Sequence, residues 1–272
     1  MRKLSILFIC AGLLLSLAAC SGQEDSSKAE TSSDSSVNNS TEASTDVSSE
    51  KTSDISAALS ELSVEDATFD SDKDYSDAVV AKYIDVSVLT DKTKKDILDK
   101  LEGDKLTFSV DADISIAKGM SIGFSATVAK EGENNYRKIS FASQDSITVK
   151  TQDGTFTVDE KNKTIKAVPD ESNEESDYQD SVTKQIMSYL LSSFGFDKLE
   201  YKQNGAEEYN GEALTYEEYS SSGDITIKLY YNESTPRYIV STNGDLSSVI
   251  TINSFDSTVD SSLFDLSGYS KI

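Results

Sequence analysis

Residues 106–128 read LTFSVDADISIAKGMSIGFSATV, an almost unbroken alternation of apolar and polar side chains. This period of two is typical of a β-strand with one buried face, because successive side chains of a strand point to opposite sides of the sheet. The turn Ala117-Lys118-Gly119 interrupts the alternation near its middle. The sequence therefore predicts a long β-hairpin with one apolar face. That face is predicted to consist of Leu106, Phe108, Val110, Ala112, Ile114, Ile116, Met120, Ile122, Phe124, Ala126 and Val128.

Short β-like segments continue on both sides of one segment with a different period. Between them, the apolar residues of 180–194 recur three or four apart and Gly195 follows, which predicts one amphipathic helix. The strands are predicted at 136–141, 146–151, 155–159, 164–168, 199–203, 212–220, 224–231, 237–242 and 248–254.

Ten or eleven antiparallel strands with one such helix can form a closed barrel, a sandwich, or a curved sheet wrapped around the helix. The strongly apolar helix favours the curved sheet, because its large side chains need a deep surface to cover them. The predicted fold class is α+β and predominantly antiparallel β. Residues 103–272 are expected to form a half-barrel of about ten strands wrapped around one or two helices.

The segment 54–102 precedes this sheet and has a weaker, helical pattern. Apolar residues share one face in 91–101, and Gly103 follows as a stop signal, so a helix is predicted to end near Leu101. A second helix is predicted around 76–84. We expect the whole segment to be a helical N-terminal region of the domain.

The N-terminus has the order of features found in a lipoprotein signal peptide. Met1-Arg2-Lys3 is basic, 4–19 is an apolar run too short for a membrane span, and Leu17-Ala18-Ala19-Cys20 resembles the bacterial lipobox. The alternative is an ordinary secretory signal with an accidental Cys. The lipobox predicts removal of 1–19 and a covalent diacylglyceryl group on Cys20, which would anchor the chain to the outer face of the cell membrane. No second Cys would then remain for a disulfide.

A polar segment separates this anchor from the domain. Residues 21–53 are rich in Ser and Thr and carry almost no apolar side chains, which is typical of a disordered tether. A coil of this length spans roughly 30 Å, a reach that suits a domain held away from the bilayer by a polymer layer such as a cell wall. We expect the membrane of a Gram-positive cell. Loss of Arg2 and Lys3 moves the net charge from −23 to −25. Such an acidic chain disfavours nucleic acid as a partner.

The order of these elements resembles the LolA-like half-barrel lipoproteins. The features concerned are the lipobox, the tether, the two runs of strands with a helix between them, and a final segment with Asn253-Ser254-Phe255-Asp256, Val259, Leu263-Phe264 and Gly268-Tyr269. The superfamily includes the lipoprotein-sorting carrier of Gram-negative bacteria and lipid-anchored relatives of the LprG and LppX type. The resemblance covers roughly 89–272. It implies a half-barrel that holds an acylated lipid.

Residue types needed for catalysis are scarce. The chain has no His, which removes the commonest general base and transition-metal ligand, and its one mature Cys is predicted to be acylated. Asp70, Asp72 and Asp74 begin like a calcium loop, but Tyr75 and Ala81 stand where that loop needs Gly and Glu. We therefore expect no enzyme activity, no cofactor and no metal site.

The leading hypothesis is a monomeric, non-enzymatic binding module that takes up an acyl chain or another apolar ligand on the concave face of its sheet. The alternative is a structural or protein-interaction envelope lipoprotein with a filled core. A continuous apolar cavity of several hundred Å³ between helix and sheet would favour the first. The residues expected to contact a ligand are Phe108, Val110, Ile114, Ile122, Phe124 and Leu229.

Overall fold

The computed structural model describes residues 49–77, 81, 84–168, 199–221 and 224–272. The predicted signal peptide, Cys20, most of the predicted tether and the predicted helix 180–194 lie outside the described residues. The chain divides into two units, Met1–Ala57 and Ala58–Ile272. In the first unit, the described residues belong to helix α1, Ser49–Glu61, which begins inside the predicted tether.

Twelve strands of the described residues form one open sheet in the second unit. Its order is β12-β6-β5-β4-β3-β2-β1-β11-β10-β9-β8-β7. Neighbouring strands are antiparallel throughout, except that β12 runs parallel to β6. The sheet thus consists of two meanders, β1–β6 and β7–β11, joined where β1 pairs with β11. The strands are β1 (Lys105–Ala117), β2 (Met120–Glu131), β3 (Asn134–Phe141), β4 (Gln144–Thr151), β5 (Gly154–Asp159), β6 (Thr164–Ala167), β7 (Glu200–Tyr209), β8 (Glu212–Ser221), β9 (Ile225–Asn232), β10 (Thr235–Asn243), β11 (Leu246–Asp256) and β12 (Ser270–Lys271).

The predicted hairpin is confirmed as β1 and β2. Its register places Phe108 opposite Val128 and Ile114 opposite Ile122, so the apolar residues of both strands share one face. Gly119 lies in the connecting turn with a φ of 73°, a backbone conformation that favours glycine. A register shift follows Ser115, and Met120 at the hairpin tip is 58% exposed, so this residue does not extend the apolar face as predicted.

A short helix, α2, packs on this face. It spans 91–102 and consists of an α-helical turn (Asp91–Thr93), a π-helical turn (Lys94–Leu98) and a final α-helical turn (Asp99–Glu102). The Thr90 side chain caps its N-terminus by accepting from the Thr93 N–H, and the Lys130 Nζ donates to the Leu101 carbonyl at the other end. The predicted helix end near Leu101 is confirmed. The predicted helix around 76–84 lies largely outside the described residues.

We call the side of the sheet that packs against 84–102 the helix face, and the opposite side the outer face. Side chains from 84–102 and from the central strands form one continuous core on the helix face. The predicted predominantly antiparallel β class is confirmed, with twelve described strands instead of about ten. Curvature of the sheet around one or two helices stays a prediction. None of the described helices is both long and apolar enough to cross a membrane.

Candidate ligand-binding face

The six residues predicted to contact a ligand fall into two groups. Phe108, Val110 and Leu229 lie in the core under α2, with exposed fractions of 0, 1 and 7%. They pack in the same cluster as Leu98 and Leu101 of the helix. The space between α2 and this part of the sheet is therefore filled by protein side chains, and these three apolar residues are in contact with the core and not with an open cavity.

The other three, Ile114, Ile122 and Phe124, lie at the hairpin end of the helix face and are half-buried. Ile114 stands opposite Ile122. Phe124 stands opposite Ala112 on β1 and opposite Phe141 on β3. Ile139 lies two residues before Phe141 on β3 and shares its face. We call Ile114, Ile122, Phe124, Ile139 and Phe141 the distal patch. All five are half-buried, so they continue the apolar core toward solvent.

A buried carboxylate connects the start of α2 to the sheet, and no local sequence pattern predicts it. Glu217 on β8 is 4% exposed. It accepts hydrogen bonds from the Thr90 hydroxyl (2.6 Å), the Thr93 hydroxyl (2.5 Å) and the Tyr219 hydroxyl (2.7 Å). The Thr93 hydroxyl is also 2.9 Å from the Tyr231 hydroxyl. Burial raises the pKa of both Tyr219 and Tyr231, and the negative Glu217 raises them further.

Glu217 was not among the predicted site residues because its segment, Thr215-Tyr216-Glu217-Glu218-Tyr219, mixes polar and aromatic side chains without a clear apolar face. Its hydroxyl partners Thr90 and Thr93 come from more than 120 positions earlier in the chain. The arrangement surrounds a carboxylate with hydroxyl donors. These donors hold the charge in place and fix the start of α2, which is a structural role.

The outer face carries two further apolar clusters. The C-terminal segment places Val259, Leu263, Phe264 and Leu266 over buried residues of β2, β3 and β4. Four tyrosines, Tyr209, Tyr216, Tyr230 and Tyr238, gather with Leu214 on β7–β10. Tyr209 stacks on Tyr230 with ring centroids 4.5 Å apart. At the edge of this cluster, the Tyr230 hydroxyl donates a hydrogen bond to Glu207 and the Tyr238 hydroxyl donates one to Glu212.

Two surface grooves near these elements have linings of mixed polar and apolar side chains. A groove of about 380 Å³ lies at the hairpin end of the sheet and is lined by Asp111, Asp113, Ser125 and Ser140, together with Phe124 and other residues. A groove of about 590 Å³ lies between 69–76, 84–87 and Lys94. Asp70, Asp72 and Asp74 line this second groove. In the part of the chain that the structure describes, no three carboxylate, His or Cys side chains are grouped closely enough to hold a metal ion.

Comparison with known proteins gives structural likenesses only. No protein-family model matches the sequence, and no curated protein matches it. Among solved structures, LprF from Mycobacterium bovis is similar over 62% of this chain and 93% of its own, with 10% identity and a TM-score of 0.36. The MucA/MucB complex of Pseudomonas aeruginosa is similar over 65% of this chain and 61% of its own, with 8% identity and a TM-score of 0.35.

A LolA superfamily protein from Nitrosomonas europaea is also similar, over 63% of this chain and 96% of its own. Its identity is 9% and its TM-score is 0.25. Likenesses at this level of identity concern the fold and not the ligand. The solved structures that are similar to this chain include proteins of the LolA superfamily, which is the superfamily that the sequence resembles.

Proposed function

We propose that this chain is a lipoprotein, anchored through Cys20 to the outer face of a Gram-positive cell membrane, whose domain binds an acyl chain at the distal patch. The domain is a binding module and not an enzyme. The signal peptide 1–19 directs export, and the polar segment 20–53 links the lipid anchor to the domain. The acyl chain belongs to a membrane lipid, because the anchor keeps the domain close to the bilayer.

One observation carries the proposal: Ile114, Ile122 and Phe124 continue the apolar helix face beyond the filled core and remain half-buried. An acyl chain laid along them would exchange contact with water for contact with side chains, at about 25 cal/mol for each Å² of apolar surface covered. We further propose that the sheet curves as a half-barrel, so that the distal patch forms its inner wall. A binding site of this kind needs no catalytic residue, in keeping with the absence of His from the sequence.

The test compares two charged variants of the acyl-free chain, produced from Ser21 onwards. Ile122→Glu introduces a carboxylate at the edge of the distal patch, where the half-buried position leaves it access to water, so the variant should fold. Ser121→Glu adds the same charge to the adjacent, exposed residue on the outer face. Native mass spectrometry after exposure to diacylglycerol and phospholipid should show bound lipid in the parent and in Ser121→Glu, and at least a tenfold loss in Ile122→Glu.

A structural or protein-interaction lipoprotein is the competing function, favoured by the filled space under α2. It predicts bare protein in every spectrum. Phe108→Glu should unfold the domain under either function, because a charge would be buried in the core without a partner. If Ile122→Glu retains as much lipid as Ser121→Glu, the distal patch is not the binding site.

A further inference from the structure

Polar side chains lie next to the distal patch on the helix face. On β3, Arg137 and Asn135 follow Ile139 and Phe141 along the same face, toward the start of the strand. Arg137 stands opposite Val128 on β2 and opposite Thr148 on β4. Asn135 stands opposite Lys130 and Lys150 in the same two strands. Along β3, the helix face therefore changes from an apolar surface to a polar one. Three cationic side chains lie in the polar part, one on each of β2, β3 and β4.

Two atoms of this polar region lack hydrogen-bond partners among the described residues. Asn135 is 2% exposed, and its Nδ2 donates to the Glu133 carbonyl at 3.0 Å, but its Oδ1 is buried without a donor. Arg137 donates from Nη2 to the Thr148 hydroxyl at 3.3 Å, while its buried Nε has no acceptor. Buried polar atoms are nearly always paired, so these two atoms, two positions apart on one face, need partners that the described residues do not supply.

One other guanidinium provides a contrast. The Nε of Arg237 is also buried without a partner, but this side chain stands 3.8 Å from the Glu212 carboxylate and lies against the Tyr238 ring. Arg137, by comparison, shares its face with the unpaired Asn135 carbonyl and lies two positions along β3 from Ile139 of the distal patch. The pairing of a free donor, a free acceptor and an adjoining apolar surface is what distinguishes this region.

We infer that Asn135 and Arg137 bind the head group of the acyl ligand, and that this ligand is an acidic glycerophospholipid. The inference rests on the proposed function. Arg137 Nε requires an acceptor, which a phosphate oxygen supplies in a charge-assisted bond. Asn135 Oδ1 requires a donor, which a glycerol hydroxyl supplies. A fatty acid offers no hydroxyl, and a diacylglycerol offers no charge, whereas a phosphoglycerol head group offers both.

Charge supports this choice of ligand. The chain as a whole carries a net charge of −23, yet this part of the helix face presents Lys130, Arg137 and Lys150 on neighbouring strands. Lys130 already donates to the Leu101 carbonyl, and burial lowers its pKa. Asp104 and Glu102 also lie near Lys130. Arg137, with its planar donors, is therefore the main phosphate contact.

The experiment measures head-group preference with soluble short-chain lipids. Dioctanoyl phosphatidylglycerol, dioctanoylglycerol and glycerol 3-phosphate are titrated into the acyl-free chain from Ser21 onwards, by calorimetry. The parent should bind the phosphatidylglycerol at least tenfold more tightly than the diacylglycerol. Glycerol 3-phosphate alone should bind far more weakly than either lipid, because it lacks the acyl contacts. Tight binding of glycerol 3-phosphate would instead assign the site to a free phosphate compound and overturn the lipid head-group inference.

Arg137→Gln should abolish the preference and leave the diacylglycerol affinity unchanged. Lys138→Gln is the matched control, since it removes one positive charge from the next residue, on the outer face, and should keep the preference. If Arg137→Gln does not fold, Arg137→Lys, which keeps the charge but loses the Nε donor, should reduce the preference several-fold. Equal affinity of the parent for both lipids would overturn the head-group site alone. Binding of neither lipid would overturn the proposed function as well, and a preference retained in the Arg137 variants would place the head group elsewhere.

Discussion

Replacing Glu217 by Gln should weaken the domain by about 2 kcal/mol. The change keeps the size of the side chain and removes its charge. Three hydroxyls, from Thr90, Thr93 and Tyr219, now donate to the carboxylate at 2.5–2.7 Å. The amide of Gln retains one acceptor oxygen and puts two N–H donors where the second oxygen stood, so the hydroxyls of Thr93 and Tyr219, which share that oxygen, must rotate or lose their acceptor.

The magnitude follows from two opposing effects. A hydrogen bond to a charged group contributes about 1 kcal/mol more than a neutral one, so three such bonds give a loss of about 3 kcal/mol. Removing the charge also relieves the cost of burying a carboxylate that is only 4% exposed and whose hydrogen-bond partners among the described residues are all hydroxyls. We expect the loss of hydrogen-bond strength to exceed the relief of desolvation, because all three hydrogen bonds are short and converge on one carboxylate.

Urea denaturation followed by circular dichroism measures the change in unfolding free energy. The variant should lower the urea concentration at the unfolding midpoint and leave the dependence of the free energy on urea unchanged. Glu218→Gln is the control. It alters the adjacent residue, which lies on the outer face 4.0 Å from Lys228, and should change the unfolding free energy by less than about 0.5 kcal/mol. Thr93→Val combined with Glu217→Gln should cost less than the sum of the single changes. A neutral or stabilising Glu217→Gln would show that the desolvation of the carboxylate outweighs its hydrogen bonds, and would refute the reasoning.

Two further predictions concern the anchor and the response to alkaline pH. Cys20→Ser should abolish metabolic labelling by a fatty-acid analogue, and labelling that persists in this variant would contradict the assignment of the lipid anchor. Burial raises the pKa of seven tyrosines above the ordinary value. Tyr75 is one of them, and its hydrogen bond to Asp99 contributes to a pKa of about 12. A tyrosine pKa raised by folding contributes stability that is complete below about pH 10 and is lost as the pH rises toward 12. Tyrosinate absorbance should therefore appear together with unfolding in that range, and ionisation of these tyrosines near pH 10 in a folded protein would contradict the burial.

The hairpin β1–β2 could be predicted from local sequence because its signal is local. Alternation over 106–128 identifies both strands, and the turn at Ala117-Lys118-Gly119 sets their pairing. The strand segments 136–168 and 199–254 were found in the same way. β7 extends to Tyr209, beyond its predicted end at 203. Among the described strands, β12 alone was not predicted, because its two residues are too few to show a period.

What covers the apolar face could not be predicted from alternation. Period two indicates that Phe108 and Phe124 share a face, but it does not indicate which of the two side chains is buried in the core with α2. Phe108 lies in the core and Phe124 is half-buried. The hydroxyl partners of Glu217 and the unpaired Asn135 and Arg137 depend on strand order and on contacts between distant segments, so no local pattern announces them.

The pairing of β1 with β11 has a consequence for how the domain forms. Residues paired across this central seam lie between 136 positions apart, for Asp113 and Val249, and 149 positions apart, for Thr107 and Asp256. Each meander contains hairpins that can pair as soon as they are made, but the seam between the meanders must wait for Leu246–Asp256. Contacts of such long sequence separation slow folding, since the intervening chain must be ordered first. A chain cut before β11 would therefore expose the unpaired edge of β1 beside its apolar face, and would be an aggregating species and not a smaller domain.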